Sequence, residues 1–100
     1  MTSLDRTSER LKAISDPTRL RIIQILSKRG GKDGHAMICV NALAARLNIT
    51  QSAVSQHLKI LRQAGIVRSE RRGYFIHYGL NQDQLNLICR ELQAIAGSGP

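Results

Sequence analysis

Apolar positions along the chain recur first with a helical period, then with a period of two, then with a helical period again. Leu4, Leu11 and Ile14 keep helical spacing through residues 4–14, until SDPT interrupts them. Asp16 before Pro17 has the form of an N-cap followed by proline at the first helical position. Leu20, Ile22, Ile23, Ile25 and Leu26 then predict an apolar helix running to Arg29, the core of the domain. GGKDGHA, residues 30–36, reads as a flexible connection. VNALAARLNI predicts a short helix with Leu43, Ala44 and Leu47 on one side, ended by Asn48. Thr50 is placed to cap the next helix, which runs to about Ala64 and stops at Gly65 in a left-handed C-cap. Two short helices joined by so brief a turn outline a helix-turn-helix.

After Gly65 the alternation in IVRSE and YFIHYGL predicts two strands around a tight turn at Arg71, Arg72 and Gly73. Tyr74 and Phe75 should then face opposite sides, one on the core and one outward. Asn81 is placed to cap a last helix through about Ala96, and GSGP is expected to fray. These elements make one domain over residues 1–100, mainly α with a small β-hairpin. The helix-turn-helix covers about 40–64, the wing about 66–80, and terminal helices about 4–14 and 82–96.

The second helix of the pair separates cleanly by angle. With Gln51 at zero and about 100° per residue, Arg62, Ser55, Lys59, Ser52, Gln63 and Gln56 fall between about 0° and 140°. Ile60, Ala53, Ala64, His57, Leu61, Val54 and Leu58 fall between about 180° and 340°. The second arc must pack inward, which leaves a face of amides, hydroxyls and cations outward. A merely solvated face usually mixes Glu with Lys, and this helix carries no acid. Gln51, Ser52, Ser55 and Gln56 suit base edges, while Lys59 and Arg62 suit phosphates, and Thr50 at the start of the helix is counted among the DNA-binding candidates. Arg68, Arg71 and Arg72 at the hairpin add charge where a β-ribbon meets a groove or backbone. His57, on the inner arc, is expected to be partly buried and satisfied by a neighbour.

Charge supports a polyanionic partner. The net charge of +8 is carried by the first eighty residues, since the last twenty hold one basic and two acidic side chains. One Phe, two Tyr and no Trp make a poor stacking platform for single strands, so duplex DNA is the expected nucleic acid. The N-terminus has mixed charges and no apolar core, which does not fit a signal peptide, and no apolar run reaches about 18 residues. A reducing cytoplasm is the expected location. No glycine-rich phosphate loop or useful acid pair is present, and Ser55 and His57 stand about 200° apart on their helix, so no enzyme is expected. No cofactor is called for.

LKAISDPTRLRIIQIL and LAARLNITQSAVSQHLKILRQAGIVRSERRGYFIHYGL, across roughly residues 9–80, resemble the ArsR/SmtB family of small repressors. SQHL, Ser55 to Leu58, between a helix-turn-helix and a wing ending in HYGL, carries most of that resemblance. It implies a winged helix of order α-α-α-α-β-β-α, a homodimer built on the first and last helices, and operator binding as a repressor. The apolar stripe Leu85, Ile88, Cys89, Leu92, Ile95 agrees with the dimer, and together with Leu4, Leu11 and Ile14 it forms the expected twofold interface. Two reading helices would then address half-sites of a palindrome about 34–36 Å apart.

The resemblance also implies an effector site, and here the chain departs from its relatives. Where an arsenite-type site has Cys-Val-Cys-Asp, this chain has Cys39, Val40, Asn41 and Ala42. A zinc-type site on the last helix would find Asp83 and Glu91 but no histidine after His77, so no metal site is assigned. A persulfide-type pair would find Cys89 but no cysteine in residues 17–29. Cys39 and Cys89 remain as candidate sensing thiols for a sulfur species, an oxidant or a soft metal, with His35 four residues before Cys39. Their alternative is a structural role as small apolar residues, in an effector-independent regulator or an architectural DNA binder.

Overall fold

The computed structural model describes residues 1–30 and 37–97. Its elements are α1 (Ser3–Ile14), α2 (Pro17–Gly30), β1 (Ile38–Cys39), α3 (Val40–Leu47), α4 (Gln51–Gln63), β2 (Val67–Arg72), β3 (Phe75–Leu80) and α5 (Gln82–Ile95). The expected connection at 31–36 and the end of the tail lie outside the described residues, as does His35.

Local chemistry sets most of the helix ends. Thr2 and Asp5 form a reciprocal capping box at α1. Asp16 accepts the Arg19 backbone N–H at 3.0 Å, as an N-cap before Pro17 should. Asn48 ends α3 at φ +56°, and the Thr50 hydroxyl accepts the Ala53 N–H at 3.1 Å to open α4. At the far end of α4, Gly65 sits at φ +77°, with Gly65 N–H on the Arg62 carbonyl and Ile66 N–H on that of Leu61. That is a Schellman ending, and a side chain at Gly65 would be strained.

The core lies between α2, α3 and α4. Ile22 and Leu26 meet Leu43, Val54, Leu58 and Leu61, with Ile66 and Val67 continuing it under the sheet. Each such fully buried aliphatic side chain contributes about 1.5–3 kcal/mol. The α1 and α5 helices pack on one another through a polar clasp. The Thr7 hydroxyl meets the Glu91 carboxylate, and Arg10 Nη1 donates to Glu91 Oε1 at 2.6 Å.

The structure corrects the sequence expectations in several places. The sheet has three antiparallel strands in the order β1-β3-β2, because Ile38 and Cys39 pair with Tyr78 and His77. A two-residue strand is too short to show a period of its own. The hairpin register pairs Arg72 with Phe75, so Arg71 and Arg72 belong to β2 and the turn is Gly73–Tyr74. Gly73 takes φ +65°, as glycine does in first place of a two-residue hairpin turn. Neither aromatic reaches the core, Tyr74 being 96% and Phe75 54% exposed, because the hairpin extends past the helices that could cover it. Asn81 opens α5 by position alone. Its amide donates to the Gly65 carbonyl at 3.0 Å, tying the end of α4 to the start of α5. Ile88, expected on the dimer stripe, is 3% exposed in the chain's own core.

Asp5 and Asp16 generate a pH prediction. Both carboxyls are held below their ordinary value of 3.8, Asp5 by the N–H and hydroxyl of Thr2, Asp16 chiefly by the Arg19 N–H. Since folding lowers these values, the stabilisation is present above the unfolded value and is lost as the pH falls through the folded one. The melting temperature should therefore be lower at about pH 3 than at about pH 6, and Asp16→Asn, which keeps a capping oxygen, should narrow that gap. An identical gap in the variant would show that Asp16 carries none of it.

Candidate nucleic-acid interface

The helical angles of α4 translate directly into burial. Val54, Leu58 and Leu61 are buried, while Gln51, Ser52, Ser55, Gln56, Lys59, Arg62 and Gln63 are all exposed. Ile60, at the edge of the inner arc, is also exposed and lines an open cavity of about 470 Å³ together with α1 residues. The outward face therefore presents neutral hydrogen-bonding groups over its first two turns and cations beyond them. Thr50 stands at its start with its oxygen engaged in the cap.

The wing distributes its arginines over both faces. Strand alternation and register place Arg68, Glu70 and Arg72 on one side, opposite Gly79, His77 and Phe75. Arg71 lies on the other side, opposite Ile76. The charge cluster that is contiguous in sequence is thus split in space. Arg72 Nη2 lies 3.5 Å from Glu70 Oε2 at the exposed surface, a pair that contributes little to stability. Arg68 Nε lies 3.5 Å from where a Cβ on Gly79 would be, so a larger residue at 79 would crowd it and Met37.

His57 is partly buried, as its place on the inner arc requires, and its Nδ1 is 3.3 Å from Arg19 Nη1 and 3.8 Å from Asp16 Oδ2. The contact with Arg19 joins α2 to α4 and has no signature in the periodicity of either helix. An arginine three residues after an Asp-Pro cap was the one available signal.

The sensing candidates are separated by element. Cys39 is half-buried, sits at the N-cap of α3 and pairs across the sheet with His77, whose Nδ1 is buried without a hydrogen-bond partner. Cys89 is exposed on α5, and both thiols are free. Glu91 is committed to Thr7 and Arg10, and Asp83 stands in the first turn of α5. Among the described residues no group of three or more His, Cys, Asp or Glu is placed to hold a metal ion. Of the expected interface residues, Leu4, Cys89, Leu92 and Ile95 are exposed, whereas Leu11, Ile14 and Leu85 pack partly against the chain's own core. Among the described residues no helix is long and apolar enough to cross a membrane.

Comparison with known proteins places this arrangement. The family model described as "Bacterial regulatory protein, arsR family" matches residues 16–69, from the Asp16 cap through α4 into the wing. The chain is 40% identical over 79 residues to the transcriptional repressor SdpR of Bacillus subtilis, covering 75% of this chain and 80% of that protein. Its fold matches an ArsR-like transcriptional regulator from Rhodococcus sp. RHA1 with a TM-score of 0.78 and 29% identity, over 95% of this chain and 83% of that one. A homodimeric winged helix-turn-helix domain from Mycobacterium bovis shares the fold, with a TM-score of 0.72 and 24% identity, over 94% and 81% of the two chains. The chain belongs to the ArsR/SmtB family, whose members are transcriptional repressors that bind DNA and are not enzymes.

Proposed function

We propose that the protein is a homodimeric repressor that reads a palindromic operator in the cytoplasm through the outward face of α4 and the wing, and is released when an effector acts at Cys39 and Cys89. The observation that carries the DNA reading is the face of α4 itself: acid-free, exposed, and held by Val54, Leu58 and Leu61 buried in the core behind it. On it Gln51, Ser52, Ser55 and Gln56 address base edges, Thr50, Lys59 and Arg62 the backbone, and Arg68, Arg71 and Arg72 reach the flanking duplex from the wing. The dimer reading is supported by the exposed Leu4, Leu92 and Ile95 on the clasped α1 and α5, and by the homodimeric state of the Mycobacterium bovis domain. The effector reading is supported by two free thiols, Cys89 exposed and Cys39 half-buried.

Binding to a duplex selected from a random pool, measured by fluorescence anisotropy against a scrambled duplex, tests the reading. Gln51→Ala or Gln56→Ala should cost about 1–3 kcal/mol on the selected duplex and little on the scrambled one. Lys59→Ala should weaken both and lower the slope of log affinity against log salt by about 0.9. Equal losses on both duplexes from the glutamine variants would contradict base reading and favour an architectural binder.

Sedimentation at micromolar concentration should show a dimer, and Leu92→Glu should shift it to monomer while leaving the melting transition cooperative. A wild-type monomer under those conditions would sink the palindromic reading.

For the effector, polysulfide, an oxidant or a soft metal should release wild-type protein from the selected duplex, and Cys39→Ser or Cys89→Ser should blunt that release. An unchanged response in both serine variants, or none in the wild type, would leave an effector-independent regulator.

A further inference from the structure

One side chain ties three helices together at a point that no base or phosphate contact explains. The Arg19 guanidinium donates from Nε to the Ala13 carbonyl at 2.6 Å, and its Nη2 reaches the Lys12 carbonyl at 3.5 Å. Both acceptors belong to the last turn of α1, where carbonyls have no partner further along the helix, and the Lys12 carbonyl also accepts the Ser15 N–H at 3.3 Å. Nη1 of the same group points at His57 Nδ1 on α4, at 3.3 Å. The backbone N–H of Arg19 is held by Asp16, whose carboxylate stands 3.8 Å from the same histidine nitrogen.

Donor chemistry fixes the sense of this contact. Arginine only donates, so a hydrogen bond between Arg19 Nη1 and His57 Nδ1 has the ring nitrogen as its acceptor. A planar guanidinium offers donors in several fixed directions and spans helix-end carbonyls and a ring nitrogen at once, which an ammonium group does with far less geometric definition. His57 lies about 200° around α4 from Ser55, so Arg19 stands behind the outward face and not on it. Upstream, α1 is itself clasped to α5 through Thr7, Arg10 and Glu91.

We propose that Arg19 is a positioning residue for DNA binding: acting through His57, it sets the seat of α4 relative to the last turn of α1. The helix that meets DNA and the helix on the exposed apolar side of the molecule then hold one fixed relation. The inference rests on α4 being the DNA-contacting helix. It adds that part of the sequence preference is determined by a residue that touches no nucleotide. Coupling of this kind is established only by a measured interaction between the residues concerned.

The test is a double-mutant cycle with the full chain: Arg19→Gln, His57→Phe and the pair, titrated with selected and scrambled duplexes at several salt concentrations. Each single variant should lose about tenfold in affinity for the selected duplex, and the pair no more than the worse single variant. The salt slope should stay at its wild-type value, because no phosphate contact is removed. Arg19→Lys should behave like Arg19→Gln. Losses that multiply in the pair, a slope reduced by about 0.9, or full rescue by lysine would each overturn the proposal. Should Arg19→Gln melt too low to assay, His57→Phe serves alone: backbone amide signals of residues 51–58 should shift in the free protein, and unshifted signals would overturn the positioning role. A wild-type protein with no preference between the duplexes would remove the DNA reading instead, and the amide shifts would still decide the seat of α4.

Discussion

The burial of one side of α4 is the constraint on which the rest of the molecule depends. Val54, Leu58 and Leu61 have no accessible alternative to the core formed by Ile22, Leu26 and Leu43, and rotating the helix to expose them would cost several kcal/mol. Fixing that side fixes the other. Because the side chains repeat every 3.6 residues, Gln51, Ser52, Ser55, Gln56, Lys59 and Arg62 are carried outward as a set, on a rigid element whose start is defined by Thr50 and whose end is defined by Gly65. The outward face is therefore a consequence of packing, and on the proposed reading its specificity follows from the neutral groups placed at the N-terminal end.

Polar contacts then orient what the apolar core holds. Asp16, Arg19 and His57 lie where α1 ends, α2 begins and α4 passes, and Asn81 joins the Gly65 carbonyl to the start of α5. The Thr7–Arg10–Glu91 clasp lies along the middle of α1. Hydrogen bonds such as these add modestly to stability, about 0.5–1.5 kcal/mol each, but they have direction where apolar contact has none. On the proposed reading their contribution is the angle between the terminal helices and α4, which in a dimer would set the angle and spacing of two α4 helices on DNA. The clasp engages both carboxylate oxygens of Glu91.

Elements with a strong period or a capping residue were legible in the sequence. The helix boundaries at Asp16, Asn48, Thr50 and Gly65 each rest on a local rule that the structure repeats atom for atom. The inner and outer arcs of α4 were legible for the same reason, with Ile60 at the margin the exception. What escaped was decided by tertiary context. β1 is two residues long and exists only because β3 offers it an edge; Ile88 and Tyr74 depend on which surfaces the core reaches; Asn81 found a better acceptor than its own helix. The three wing arginines read as one cluster because sequence proximity ignores the alternation of a strand. Arg19 escaped because its partners lie six residues upstream and thirty-eight downstream, on elements whose crossing no periodicity encodes.

The most direct test of the central claim observes the side chains of α4 while DNA is bound. Gln51 and Gln56 carry side-chain NH2 groups that give their own nitrogen–proton signals. On addition of the selected duplex these should shift together with the backbone amides of residues 50–62, while signals from the buried positions Val54, Leu58 and Leu61 should respond less than those of Ser52 and Ser55. Glutamine side-chain signals that stay unmoved at saturating duplex, with the shifts confined to the wing or the terminal helices, would contradict the account.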